Sequence, residues 1–428
     1  MAKASQADKD LTPSADIKRK PEEIAGVYEQ WVYPAPLYDL QAYHDSGRID
    51  AAAPQMAHAL YWPDGRYQRE GGEQISILVA GCGANAAARY AFEHPQARVV
   101  GIDVSASCLA HEESLKHKHN LENLSLYQMP VEDARTLDET FDFIEAVGVM
   151  NHLENPLAGM EALKTRLNPD GVIAVMLFGV YGRLGVGMLQ KMFHRLDMGF
   201  SNEDVNIVRQ TLAILDADHP VQAFNRNIAD LQLDSGVVDC FLRSAGRNFT
   251  VEGCLQFARN SGLSFMGWLD NFPYYPEGQV PSNHPLYERI GKLPEDDMWK
   301  VMELFNGVLR NHTFYMCRKD RDAKGYKLDF DGDAFMDYVP IARINRYHQP
   351  DQEQGRPAMI ERIPYRPVPL TPAQLAVYSR IDGKKNVRQC LEEAGLTGSP
   401  EDLTAFARNF FRSLWRLGYA MFLYPQEA

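Results

Sequence analysis

Between residues 75 and 178 the chain alternates short apolar runs with segments of helical length, and this rhythm limits the fold more than any other feature. The runs "ISILVAG", "ARVVGIDVS", "LSLYQMP", "FDFIEAVGVM" and "GVIAVMLFG" read as five strands, with the continuous apolar character of strands buried on both faces. Between them, "ANAAARYAFEH", "SCLAHEESLKHKHN" and "NPLAGMEALKTRLN" have the length of crossover helices. Strand and helix in succession predict an α/β fold on a parallel, doubly wound sheet. After Phe178 the pattern turns to long helical segments through about residue 260, and "LSFMGWLDN" and "HTFYMCRKD" then supply two more strands, seven in all. A helical insertion at about 181–260, ahead of two late strands, falls near the carboxyl edge of such a sheet, where ligands bind. It is a candidate substrate cover, with the polar stretch "DSGVVDCFLRSAGRNFTVEG" as a loop over the site.

With 428 residues, 45% of them hydrophobic, the chain is long enough for two or three packed domains. Its 44 basic and 57 acidic residues leave a net charge of -13, which repels nucleic-acid backbones and anionic membranes. Neither is an expected partner, and no metal is expected either. The six cysteines form no CxxC pair, so the spacing suggests no zinc site and no disulfide framework, and a reducing cytoplasm fits. The first residues lack the apolar core of a signal peptide, and no stretch reaches the length of a membrane span. The expected organisation is a mobile 1–22, an aromatic-rich cap at 23–72, the sheet domain at 73–320, a linker or arm at 321–355 and a small domain at 356–428. That last segment carries ten basic and seven acidic residues against the acidic remainder. A homodimer is compatible with all of this.

Gly81-Cys82-Gly83 follows the first strand directly. Two glycines there allow a tight turn with close backbone approach to a ligand, and the helix that follows offers free amides to an anionic group. Asp103 ends the next strand, 22 residues beyond Gly81, where a carboxylate can accept both hydroxyls of a ribose; capping of the following helix is its plainer role. A dinucleotide fingerprint would continue to a third glycine, and Ala86 stands there instead. Glu132 and Asp133, in "YQMPVEDA" after the third strand, are placed to hydrogen-bond an adenine amino group.

Taken in order, "AGCG", "GIDVS", "VEDA", "FDFIEAVGVMNHL" and "LNPDG" resemble the class I S-adenosylmethionine-dependent methyltransferases over roughly 75–180 and the two late strands. The resemblance implies a Rossmann-like seven-stranded sheet with S-adenosyl-L-methionine as cofactor. It implies Gly81 and Gly83 along the methionine portion, Asp103 on the ribose, Glu132 and Asp133 at the adenine edge, and Val147 with Gly148 as the floor. Two positions depart from the family pattern: Val79 stands where an acidic residue is common, and Asn85 where a further glycine is common. The tail "LTPAQLAVYSRIDGKKNVRQCLEEAG" is similar to small winged-helix-like α+β modules found behind methyltransferase domains, related to modules that bind peptides along a strand edge.

Methyl transfer is an in-line displacement that needs alignment and, for a protonated acceptor, a base. His152 and Tyr181 are the candidate catalytic residues, His152 because it follows the fourth strand at the rim. Asn151, Arg183 and the aromatics Tyr28, Trp31 and Tyr33 are candidate acceptor-binding residues, with Arg183 suited to a carboxylate or phosphate. Each has a structural alternative, in loop or helix packing. Trp268, Tyr274 and Tyr275 could likewise stack on an acceptor, and His284 is a further candidate base. The expected acceptor is a small metabolite or natural-product intermediate; a peptide or protein acceptor held by the C-terminal module, or a catalytically silent scaffold, are the alternatives.

Overall fold

The computed structural model describes residues 30–47, 52–65, 67, 75–225, 229–243, 246–344, 346–351 and 355–425. The expectations for residues 1–22 and for Tyr28 lie outside the described residues. The chain divides into two compact units, the first formed by residues 1–53, 74–265 and 303–320, the second by 54–73, 266–302 and 321–428.

The first unit is built on strands β1 (Ser76–Ala80), β2 (Arg98–Asp103), β3 (Leu124–Gln128), β4 (Phe141–Val147), β5 (Leu167–Gly179), β6 (Asn248–Phe249), β7 (Leu263–Trp268) and β8 (Asn311–Arg318). Seven of them lie in the order β3-β2-β1-β4-β5-β8-β7, while the two-residue β6 pairs with β5 off that path. Strands β1 to β5 run parallel, and β8 pairs antiparallel with β5 from Val172 opposite Cys317 to Phe178 opposite Asn311. The continuous apolar runs are buried as expected, with Ile77 to Ala80 and Phe143 to Ala146 inside. From β1 the order runs to β2 and β3 on one side and to β4 and β5 on the other, so the crevice at the carboxyl ends of β1 and β4 is the topological switch point.

Helices α1 (Leu40–Asp45), α2 (Ala86–Glu93), α3 (Ala106–His119) and α4 (Pro156–Lys164) flank this part of the unit. The Ser105 hydroxyl starts α3 by accepting from the Cys108 amide, and Asn120 ends it in the left-handed conformation. Asn155 with Pro156 starts α4, closing the loop that carries Asn151 and His152.

The insertion contains α5 (Leu184–Arg195) and α6 (Asn202–Ile214), the latter begun by a Ser201/Asp204 capping box. Val186, Leu189, Phe193, Val205, Val208 and Phe241 belong to a core of its own. The stretch from Asp234, expected as a loop, is a helix through Val237 that continues as a wider turn, Val238–Leu242. Its apolar residues Val237, Val238, Phe241 and Leu242 are buried in that core and override its polar composition. Helix α7 (Val251–Asn260) then leads to β7.

The second unit contains β9 (Val339–Ala342), β10 (Arg346–His348), β11 (Met359–Glu361), β12 (Val368–Pro369) and β13 (Ala420–Leu423), with helices α8 (Pro372–Tyr378), α9 (Val387–Ala394) and α10 (Pro400–Arg416). Strand β13 pairs antiparallel with β9, and β10-β11-β12 form a second small sheet. Residues 321–355, expected as a linker or arm, are instead part of the packed unit: Phe330, Phe335, Met336 and Tyr338 sit in one core with Phe411, Leu414 and Phe422. Their apolar side chains are interspersed among aspartates and glycines that mask them in composition. The unit also extends beyond 356–428 into residues 54–73 and 266–302. Trp268, Tyr274 and Tyr275 are buried within it, Trp268 stacked on Tyr274 at 4.0 Å between ring centroids, so they are core and not acceptor contacts. His284 caps the helix Pro285–Gly291 through Nδ1, which accepts from the Leu286 amide, a structural duty in place of the expected base.

Candidate active site

Three loops meet the crevice. After β1, Gly81 and Gly83 both have positive φ, 71° and 58°, and Gly148 after β4 has φ 73°. A Cβ on Gly81 would lie 2.8 Å from the Val149 side chain, and one on Gly83 2.8 Å from the Pro34 ring. Conformation and space therefore both require glycine at these two positions.

Asp103 closes β2 beside this turn. One carboxylate oxygen accepts from the Gly83 amide at 2.8 Å and the other from the Ser105 amide at 2.9 Å. Burial pushes its carboxyl up from the usual range, while these amides pull it down. Each oxygen keeps lone-pair capacity for a ribose hydroxyl. Val104 and Val147, 45% and 38% exposed at the ends of β2 and β4, leave apolar surface at the same sheet edge, as an adenosine ring system requires. Glu132 and Asp133 are half-buried on the turn Val131–Thr136 after β3, with Asp133 3.9 Å from the Arg135 guanidinium.

The free helix amides expected after the glycine turn are not free. Glu112 of α3, fully buried, accepts from the Ala87 amide at 3.0 Å and the Ala88 amide at 2.7 Å. The Gly81 and Cys82 amides donate to the Ile102 carbonyl. Desolvation pushes the Glu112 carboxyl up to about 8. With these donors occupied, the turn suits a cofactor whose charge is not a pyrophosphate. No feature of the sequence marks Glu112, since its partners lie 24 and 25 residues away on another helix.

Both departures from the family pattern have structural counterparts. Asn85 is a clamp: its side-chain amide donates to the Ala35 carbonyl at 2.8 Å, and its Oδ1 accepts from the Leu37 amide at 2.7 Å. Val79 is buried, and the carboxylate lies one strand over: Glu145 is in register with Val79 and accepts from the Tyr90 hydroxyl at 3.0 Å. The N-terminal segment is further held by His111 Nε2 against the Leu37 carbonyl, 2.7 Å, and by Asp39, which accepts from Lys118 and caps α1. Of the expected aromatics there, Trp31 donates through Nε1 to the Phe200 carbonyl at 3.1 Å and packs on the insertion core. Tyr33 places its carbonyl against the Gly83 turn.

His152 and Arg183 meet at Phe178 near the end of β5, with Asn151 adjoining His152 in the loop after β4. The His152 ring meets Phe178 edge-on at 5.4 Å, and the Arg183 guanidinium lies 3.9 Å from the centroid of the same ring. Asn151 donates to the Arg247 carbonyl at 2.6 Å, while its Oδ1 and His152 Nδ1 are buried without a hydrogen bond among the described residues. Burial, helped by the Arg183 charge, pushes His152 down to about 3, so it is a neutral imidazole at physiological pH. Tyr181 is half-buried in the turn Tyr181–Arg183. Phe178 and Phe224, which line this cluster, carry no sequence signal beyond an apolar residue at a strand or helix end.

This arrangement is a nucleoside-binding α/β crevice with an enclosed polar and aromatic cluster beside it. Residues 78–173 match a family model described as a methyltransferase domain. Among solved structures, the chain shares its fold with PKMT2 from Rickettsia typhi in complex with AdoHcy, at a TM-score of 0.61, 16% identity, and coverage of 88% of this chain and 76% of that one. A second structure of PKMT2 matches at a TM-score of 0.59 and 17% identity, covering 85% and 75%. An uncharacterized protein of Synechococcus sp. is 24% identical over 359 residues, 81% of this chain and 84% of that protein. The domain match and the geometry of the Gly81 turn with Asp103 agree on S-adenosylmethionine as the cofactor. No helix among the described residues is long and apolar enough to cross a membrane.

Proposed function

We propose that the chain is an S-adenosylmethionine-dependent methyltransferase acting on a small metabolite or natural-product intermediate. One observation carries the reading: Asp103 is fixed against the Gly83 turn while Glu112 occupies the amides a pyrophosphate would need, which favours adenosine without a dinucleotide. In this reading Gly81 and Gly83 admit the methionine portion, Asp103 holds the ribose, Glu132 and Asp133 face the adenine, and Val147 with Gly148 form the floor. When bound, the cofactor supplies an activated methyl group. The chain's own part is to align the acceptor and exclude water. His152, held neutral and with an unpartnered nitrogen, accepts a hydrogen bond from the acceptor; at about 3 its basicity is too low for it to carry a proton off an alcohol or ammonium. Tyr181, Asn151 and Trp31 border the same cleft in this reading.

A peptide acceptor is the second reading, favoured by the small sheet β10-β11-β12, whose outer strands have no further strand beside them among the described residues and could take an added one. The winged-helix-like assignment of the C-terminal helices belongs to this reading, as do a cytoplasmic setting and a homodimer to the proposal as a whole. The test is transfer from S-adenosylmethionine with a deuterated methyl group to low-molecular-weight and peptide fractions of a cell extract, read by mass spectrometry. Label in small molecules supports the first reading. Label confined to peptides replaces it with the second, and no binding of S-adenosylhomocysteine removes both in favour of a silent scaffold.

A further inference from the structure

One cation at the site has no counterpart. Arg183 is 7% exposed, and its guanidinium is sandwiched by Phe178 at 3.9 Å and Phe224 at 5.0 Å from the ring centroids. Among the described residues, no hydrogen bond or ion pair engages its N–H donors. The two other arginines buried as deeply each have an acceptor: Asp239 lies 2.7 Å from Arg243, and the Tyr61 carbonyl 2.9 Å from Arg321. Ring faces attract a guanidinium but satisfy none of its donors, which stay open to an anion. The neutral His152 ring packs on the same Phe178, so no second cation competes there. Arg310 lies 5.9 Å from the Phe224 ring and adds a second positive charge near that residue. A donor fork between aromatic walls complements a planar, anionic molecule.

We infer that Arg183 is the carboxylate receptor of the acceptor site, and that the methyl acceptor carries a carboxylate on a planar framework. This deepens the methyltransferase reading and rests on it. The cofactor's own carboxylate is the other source of the same chemistry. Position favours the acceptor: the guanidinium lies past β5 against Phe224 of the insertion, whereas the Gly81 turn packs on Val149 after β4.

The test is calorimetric titration of benzoate and benzamide into the full chain loaded with S-adenosylhomocysteine, for wild type, Arg183→Gln and Arg183→Lys. Benzoate should bind wild type at least about tenfold more tightly than benzamide, the bidentate charged pair being lost with the amide. Arg183→Gln should abolish that preference, Arg183→Lys should keep part of it, and all three should bind S-adenosylhomocysteine within about twofold. Should Arg183→Gln not fold, the wild-type preference and its reduction in Arg183→Lys still decide. Equal binding of benzoate and benzamide by wild type overturns the inference. So does a loss of S-adenosylhomocysteine affinity in the variants, which would give the guanidinium to the cofactor's carboxylate. No S-adenosylhomocysteine binding by wild type removes the methyltransferase reading itself, an outcome distinct from either.

Discussion

Asp103, half-buried, and Glu112, buried, each accept two backbone amides, yet the crevice uses them differently. Asp103 is partly open beside the glycine turn, so Asp103→Ala should weaken cofactor binding by about a hundredfold, and Asp103→Asn by less, because one oxygen acceptor remains. Glu112 is sealed, and its folded-state carboxyl at about 8 lies above its ordinary 4.5. A raised acid is protonated more readily in the folded chain, so its contribution is full below about 4.5 and is lost as pH rises toward about 8. Chemical denaturation across this range should show wild type losing stability relative to Glu112→Gln by about 1 kcal/mol per pH unit. A parallel pH dependence of the two proteins would contradict the assignment. His94 and His152 act in the opposite sense. Burial lowers them from 6.5 to about 4 and about 3, so their contribution is full above 6.5 and is lost as pH falls through that window. A ring-carbon NMR titration should accordingly find His152 neutral down to about pH 5, and a His152 midpoint near 6.5 would undo that account.

At the scale of elements, the five parallel strands, their crossover helices and the glycine turn were legible in the sequence because each is a local pattern of apolar period and turn residues. Asp103, His152 and Arg183 were legible as residues at strand ends for the same reason. What each side chain engages was not. Asn85 reads locally as a missing glycine, and only the folded chain shows it joined to Ala35 and Leu37, 50 and 48 residues away. Asn85→Gly should therefore remove the clamp, cost about 1–2 kcal/mol of stability, and raise hydrogen exchange at the Leu37 amide. Unchanged exchange there would show that the segment is held by other contacts. The turn that presents Arg183 is equally dependent on packing: a Cβ on Gly182 would lie 2.3 Å from the Leu309 carbonyl carbon. Gly182→Ala should cost about 3 kcal/mol, seen as a lowered denaturation midpoint.

For the molecule as a whole, length and composition allow more than one packed unit but do not assign the pieces. The second unit draws on three separated stretches, and the core it forms includes Phe330 and Phe335 from a segment whose aspartates and glycines look like a connector. Long-range assembly of this kind leaves no periodic trace. The same limit holds for the insertion, whose core gathers Val186, Val208 and Phe241 from helices with unremarkable individual patterns. The acidic charge is likewise a property of the whole, and with it the expectation that neither nucleic acid nor an anionic membrane is a partner.

The central claim is that the crevice at β1, β2 and β4 holds S-adenosylmethionine through the Gly81 turn and Asp103. Isothermal calorimetry of the full chain with S-adenosylmethionine and S-adenosylhomocysteine, alongside Asp103→Ala, tests it most directly. The predicted result is micromolar binding of both by wild type and a loss of about a hundredfold in the variant. Absence of binding to the wild-type chain, or equal affinity in Asp103→Ala, would contradict it.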